Sequence, residues 1–236
     1  MRIGGFQKLS LVDYPGKLCA IIWTVGCNFR CKFCYDPGLV LPEKMREIKE
    51  VPRDYIFSYL EKRRNFLDAV EITGGEPTLH EDLPEFIEEI KEIGYLVKLD
   101  TNGTNPSMLQ YLMDSNLIDY VAMDIKTKLA FERYNEIVGN VLTQEMFENV
   151  KSSIKILLNS KIDCEFRTTL VKNFHSKEDV IEVCKSVRGA EAYYLQNLRV
   201  VDEFVGGGEL APLDEEEIEE IVSEGRKVVN IAYRKG

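Results

Sequence analysis

Three cysteines, Cys27, Cys31 and Cys34, stand in the run Gly26-Cys27-Asn28-Phe29-Arg30-Cys31-Lys32-Phe33-Cys34-Tyr35. Three thiols this close together can converge on one metal centre without help from distant parts of the chain. Thiolates are soft ligands that suit iron–sulfur clusters and zinc. A closed zinc site or an ordinary cubane takes four protein ligands. Three thiolates on a cluster leave one iron open, as a catalytic zinc keeps an open position. The alternative is a zinc site that borrows His80 or His175, although neither histidine stands at a finger-like spacing from the cysteines. The other cysteines, Cys19, Cys164 and Cys184, are scattered singly among apolar residues and read as buried, reduced thiols. A disulfide framework is not expected in a long, core-rich chain without an export signal.

The elements that must position these thiols alternate between strand-like and helix-like segments. Strands are expected over 17–24, 69–73, 95–100, 119–125, 162–171, 192–196 and 228–233. Helices are expected over 54–66, 83–93, 106–114, 143–158, 176–187 and 214–224. Pro84 near the start and Gly94 at the end mark the helix over 83–93. Ser176-Lys177-Glu178-Asp179 resembles a capping box. Strands separated by helices imply right-handed crossovers and a parallel sheet. About six such units fit an open, partial (β/α)6-type barrel, since a closed eightfold barrel takes about 250 residues. The expected domain is single, residues 1–236, with a core of about 17–200 and a C-terminal helix and strand within 214–234.

In parallel folds, functional residues gather where strands end. The cysteine run follows the first expected strand, and Thr73-Gly74-Gly75-Glu76-Pro77 follows the second. Asp100 ends the third, and Asp124 the fourth, with Lys126 just beyond. Glycine lets backbone approach a ligand closely, and the Glu76 carboxylate can accept from an ammonium. Gly-Gly-Glu can also be an ordinary turn, the aspartates can cap helices or Asx-turns, and Lys126 can be a surface charge. Arg167 sits among apolar neighbours, and a buried arginine needs a partner. Asp124, a ligand carboxylate and a structural ion pair are all open to it. Gln196, near a later strand end, is a weaker candidate to face a ligand. Gly206-Gly207-Gly208 is not followed by Lys-Ser or Lys-Thr, so it is no phosphate loop; it reads as a flexible loop near the mouth of the site.

The 236 residues carry a net charge of −10, which argues against nucleic-acid binding through clustered Lys and Arg. No apolar run is long enough to span a membrane. The first residues lack a signal peptide's apolar core, so a cytoplasmic location is expected.

Cys-x3-Cys-x-aromatic-Cys after a first strand, with Gly-Gly-Glu-Pro after a second, resembles the radical S-adenosylmethionine (SAM) superfamily over nearly the whole chain. The resemblance implies a [4Fe-4S] cluster on Cys27, Cys31 and Cys34, with adenosylmethionine chelating the fourth iron through its amino and carboxylate groups. It implies that one electron from the cluster cleaves the sulfonium to methionine and a 5′-deoxyadenosyl radical. It places Gly74, Gly75 and Glu76 at the methionine amino group, and Phe33, less firmly Tyr35, at the adenine. Asp100 with Thr101-Asn102-Gly103, and Asp124-Ile125-Lys126, resemble the glycyl-radical-enzyme activating enzymes. That resemblance puts both aspartates beside adenosylmethionine and a monovalent cation, and Lys126 on the ligand's carboxylate.

The stretch from Gly4 to Lys17 is similar to that of the activating proteins of anaerobic (class III) ribonucleoside-triphosphate reductases. The implied partners are such a reductase, as the acceptor of a glycyl radical, and an external one-electron reductant such as flavodoxin or ferredoxin. No cysteine-rich insert lies between Cys34 and Gly74, which argues for one cluster. Two other readings stand beside this one. One is a radical enzyme acting on a small molecule or tRNA, with the acidic balance against tRNA. The other is a non-catalytic iron–sulfur or zinc protein.

Overall fold

The strand-and-helix alternation builds one eight-stranded sheet, β1 to β8 in sequence order. The computed structural model describes residues 1–234; residues 235 and 236 of the expected 1–236 domain lie outside the described residues. The strands are β1 (Ile3–Ser10), β2 (Cys19–Thr24), β3 (Ala69–Gly74), β4 (Leu96–Thr101), β5 (Tyr120–Asp124), β6 (Asp163–Leu170), β7 (Tyr193–Asn197) and β8 (Ile231–Arg234). From β2 to β8 every neighbouring pair is parallel. Among the described residues nothing pairs β8 back to β1, so the sheet is an open, partial barrel.

Helices fill the six crossovers: α1 (Pro37–Val40), α2 (Pro42–Met45) and α3 (Arg53–Arg63), then α4 (Leu83–Ile93), α5 (Pro106–Asp114), α6 (Phe131–Ile137) with α7 (Gln144–Asn159), α8 (Lys177–Ser186) and α9 (Glu215–Gly225). Sequence signals set several of their ends. Gly94 closes α4 in the left-handed conformation at φ 106°, and Ser176 and Asp179 form the expected capping box of α8. α4 buries Leu83, Phe86, Ile87 and Ile90, one stripe of a helix against the sheet.

Four labelled elements go beyond the sequence expectation: the short helices α1 and α2, and then β1 and α6. Residues 3–10, which carry no strand signal beside Gly4 and Gly5, form β1 and pair antiparallel with β2. The short helix α6 ends at the cysteine loop: Arg30 N–H donates to Val138 O at 2.9 Å and Lys32 N–H to Ile137 O at 3.1 Å.

Alternate residues of a strand face opposite sides of a sheet, and here the two sides differ in chemistry. Ala20, Ile22, Val70, Ile72, Val97, Leu99, Val121, Met123, Phe166 and Leu195 join the large apolar core under the helices. The opposite parity carries Glu71, Lys98, Asp100, Asp124, Glu165 and Arg167, and this concave face is where the site forms.

Candidate active site

Cys27, Cys31 and Cys34 line one cavity of about 290 Å³ at the C-terminal ends of the parallel strands. Cys31 is buried, and Cys27 and Cys34 are half-buried. The loop that carries them is tied to itself and to its neighbours. Cys34 N–H donates to Cys31 O at 2.9 Å, and Phe29 anchors the loop in the core. Burial pushes the Cys27 thiol up to about 11 and Cys31 up to about 12. Metal-free thiols are therefore neutral, and ligation must release protons.

Among the described residues, no three His, Cys, Asp or Glu side chains converge closely enough to chelate one ion. Neither His80 nor His175 lines the cavity. The donor set fits a cluster held by three soft ligands. Cys19 and Cys184 are buried free thiols as expected, whereas Cys164 is only half-buried.

The Gly-Gly-Glu segment lies against the start of the cysteine loop. Gly75 N–H donates to Thr24 O at 2.9 Å, and Glu76 N–H to Gly26 O at 2.7 Å. A Cβ on Gly75 would land on the Gly26 carbonyl oxygen, and one on Gly74 on the Thr24 backbone. The close approach that these glycines permit is thus to another backbone, while both also line the cavity.

Glu76 is 1% exposed. Its Oε1 accepts from Thr78 N–H at 3.2 Å, Thr78 Oγ1 at 2.6 Å and Thr101 Oγ1 at 2.7 Å. Among the described residues, its Oε2 accepts only from Asn102 N–H, at 2.7 Å, which leaves that oxygen room for one more donor. Burial raises the Glu76 carboxyl, and its hydrogen bonds from Thr78, Asn102 and Thr101 oppose the rise.

A chain of alternating charges crosses the concave face. Lys98 Nζ lies 3.0 Å from both Glu71 and Asp100. Arg167 donates from Nη2 to Asp100 at 2.7 Å and from Nε to Asp124 at 2.9 Å. Lys126 Nζ meets the other oxygen of Asp124 at 3.0 Å. Glu165, fully buried, takes a two-pronged bond from Arg234 at 3.0 and 2.9 Å and one from Tyr120 at 3.0 Å. Despite its burial, Asp100 is held well below the usual carboxylate range by Arg167 and Lys98. Burial is also the largest influence on Asp124, yet Arg167 and Lys126 lower its carboxyl. Of the partners open to Arg167 in the sequence, Asp124 is one, and Asp100 is added to it.

Phe33 is buried and Tyr35 half-exposed at the cavity, and Gln196 also reaches its lining. Gly206 lies on the cysteine loop: its N–H donates to Lys32 O at 3.0 Å, and Val205 N–H donates to Cys34 O at 2.9 Å. Sequence reasoning missed Glu71, Lys98, Glu165 and Arg234. Their signal was a charge inside an apolar strand run at the same parity as Asp100 or Arg167. A wider groove of about 690 Å³ between α5 and α7, lined by Gln110, Lys155 and Ile162, gathers no comparable set.

Residues 21–187 match the radical SAM superfamily, and the chain belongs to it. It is 32% identical over 240 residues to a protein of Methanocaldococcus jannaschii named as a glycyl-radical enzyme activating enzyme, covering 98% of this chain and 95% of that one. It is 28% identical over 206 residues to a protein of Saccharolobus islandicus named as a GTP 3′,8-cyclase, covering 85% of this chain and 62% of that one. Among solved structures, TYW1 with a lysine-pyruvate adduct bound superposes with a TM-score of 0.64 at 18% identity, covering 89% of this chain and 74% of that one. Membership implies a [4Fe-4S] cluster and adenosylmethionine. Among the described residues, no helix is long and apolar enough to cross a membrane.

Proposed function

We propose that this chain is an activase that places a radical on a backbone glycine of a partner enzyme, an anaerobic ribonucleotide reductase. The observation that carries the reading is one cavity lined by Cys27, Cys31, Cys34, Glu76, Asp124 and Lys126 together. The similarity to a protein named as a glycyl-radical enzyme activating enzyme, over nearly the full length of both, supports a glycyl-radical enzyme as the class of acceptor. The open concave face suits an acceptor that must present a polypeptide loop.

In this reading, Cys27, Cys31 and Cys34 would hold the cluster, with adenosylmethionine bound beside it in the same cavity. Glu76 receives the ligand's ammonium at the free position on Oε2. Lys126 pairs with its carboxylate. Phe33 and Tyr35 flank the adenine, and Gly74 and Gly75 keep the cavity wall free of side chains. Arg167 bridges Asp100 and Asp124 and fixes both carboxylates at the cavity. When bound, the cluster would supply the single electron needed for reductive cleavage of adenosylmethionine to methionine and a 5′-deoxyadenosyl radical. Flavodoxin or ferredoxin serves as the external donor. A monovalent cation beside Asp100 and Asp124 would share those carboxylates with Lys98, Arg167 and Lys126, which already bond them.

The test is anaerobic reconstitution, with about four irons per chain as the expectation, and then reductant plus adenosylmethionine, with 5′-deoxyadenosine as the product. A glycyl doublet in the electron paramagnetic resonance (EPR) spectrum should appear on mixing with the reductase. Active protein that forms 5′-deoxyadenosine but gives no doublet would overturn the choice of acceptor. A second reading, a small-molecule acceptor, is favoured by the 28% identity to the cyclase; it predicts a radical product without any partner protein.

A further inference from the structure

Lys126 aims a charge into the cavity from just beyond the end of β5, where the sheet no longer holds the chain. The preceding residue is still tied to β6: Ile125 N–H donates to Arg167 O at 2.8 Å, and Thr168 Oγ1 donates to Ile125 O at 2.7 Å. At Lys126 both backbone groups pass to side chains. Its N–H donates to the Tyr134 hydroxyl oxygen at 3.2 Å, and its carbonyl oxygen lies 2.7 Å from His175 Nε2. The second bond has a fixed direction. His175 Nδ1 accepts the Val171 N–H at 3.1 Å, so the ring proton sits on Nε2, which donates to Lys126 O.

The same two rings touch the cysteine loop. Tyr134 meets Phe29 edge-on, with centroids 6.2 Å apart at 62°. His175 meets Phe33 edge-on, at 6.0 Å and 68°. Phe29 and Phe33 stand two residues either side of Cys31. Tyr134 is fully buried and His175 5% exposed. Neither ring lines the cavity, so any influence on a bound ligand must pass through Lys126 or the cysteine loop. Each ring thus joins one hydrogen bond on Lys126 to one aromatic contact beside Cys31.

We infer that Tyr134 and His175 are positioning residues that lock the Lys126 backbone to the cysteine loop, so that the Lys126 ammonium and the cluster ligands meet the same bound adenosylmethionine. The inference rests on the proposed role of Lys126 at the ligand's carboxylate. A purely structural role for the two rings would cost stability and leave ligand affinity alone. A positioning role shifts affinity through Lys126 and is rescued by a side chain that restores the donor.

The experiment measures adenosylmethionine dissociation constants by calorimetry on the anaerobically reconstituted protein, with iron content and the EPR spectrum of the reduced cluster as companion readouts. Tyr134→Phe keeps the ring and removes the hydroxyl. His175→Phe keeps a ring and removes both hydrogen bonds, and His175→Gln restores an N–H donor near Nε2. Tyr134→Phe and His175→Phe should retain wild-type iron and weaken adenosylmethionine binding about tenfold. His175→Gln should return to within about threefold of wild type. In a Lys126→Met background, Tyr134→Phe and His175→Phe should add less than about twofold, because they act through the lost ammonium. The ligand-induced change in the EPR spectrum should shrink in the same order.

Unchanged affinity in Tyr134→Phe and His175→Phe, beside a weakened Lys126→Met, would overturn the inference and spare the reading of Lys126. Full weakening that persists in the Lys126→Met background would also overturn it. Unchanged affinity in Lys126→Met itself would overturn both. If His175→Phe does not fold, Tyr134→Phe decides alone.

Discussion

Arg167 Nη2 donates to Asp100 Oδ2 at 2.7 Å, across a strand that lies between them. Asp100 is the penultimate residue of β4 and Arg167 sits in β6; the strand between them, β5, contributes Asp124 to Arg167 Nε at 2.9 Å. One guanidinium therefore ties three neighbouring strands together at the cavity. Its removal leaves the buried Asp100 with Lys98 and the half-buried Asp124 with Lys126, but takes away the cation they share, and breaking a buried pair in this way costs about 3–5 kcal/mol. Arg167→Gln should lower the unfolding free energy of the apoprotein by about 3 kcal/mol in urea titrations. Arg167→Lys should recover only part of it, since an ammonium lacks the planar fork. A loss below about 1 kcal/mol would mean that the bridge does not carry the rim.

Among the described residues, Glu71 Oε2 and Asp100 Oδ1 are buried without a hydrogen-bond donor in line, although Lys98 Nζ lies 3.0 Å from Asp100 Oδ1. A proton on Glu71, hydrogen-bonded to Asp100, satisfies both. Burial raises the Glu71 carboxyl well above its ordinary range, and the Asp100 charge adds to the rise. The sign of the linkage follows. Between the ordinary glutamate value and the raised native one, the folded chain binds more protons than the unfolded chain, so stability falls as pH rises through that window. Glu71→Gln donates permanently and should abolish this slope. Its stability should match wild type within about 1 kcal/mol at pH 5 and exceed it at pH 8. Parallel curves for the two proteins across that range would show Glu71 to be ionised throughout.

The cysteines, Glu76, Asp100 and Asp124 were legible because each follows or ends an apolar run that reads as a strand on local pattern alone. The bounds of α4 and α8 were legible for the same reason, through Pro84, Gly94 and Ser176. β1 was not, because its two glycines and the exposed Gln7, Lys8 and Leu9 give no alternation; its pairing with β2 is set by long-range contact. Lys98 and Glu71 looked like interruptions of apolar strands. They become a network only when three strands are laid side by side, which fixes their shared parity. Tyr134 and His175 reach Lys126 across sequence separations of 8 and 49 residues and stand in no motif with it.

Gly75 has no room for a methyl group. A Cβ there would fall on the Gly26 carbonyl oxygen, one residue before Cys27. Gly75→Ala must push the cysteine loop away from β3 and break the bonds from Gly75 N–H and Glu76 N–H that align the two segments. A cost of about 3 kcal/mol or more is expected, with loss of the bound iron after desalting. Gly38, in α1, serves as the control: its nearest neighbour beyond the local chain would be an Ile48 side-chain carbon at 3.8 Å. Gly38→Ala should keep wild-type iron. Equal iron retention in both variants would show that the Gly75 contact does not position the cluster loop.

His175 also makes stability depend on pH, in the opposite direction to Glu71. Burial lowers its ring below the ordinary histidine value, and Arg133 adds to that, against the Lys126 carbonyl, Asp179 and the contact with Val171. Protonation would place a second N–H on Nδ1, facing the Val171 N–H that it now accepts. The unfolded chain takes up its proton near pH 6.5, and the folded chain resists until lower pH. Between those points the unfolded state binds more protons, so stability is present above pH 6.5 and is lost as pH falls toward the native value. His80 shifts in the same direction, so the comparison must isolate His175. His175→Gln keeps a donor for Lys126 O but does not titrate. Urea unfolding of apoprotein at pH 7.5 and 5.5 should show wild type losing more stability than His175→Gln over that interval. An equal loss in both would place the native titration of His175 at its ordinary value and remove the Val171 bond as its constraint.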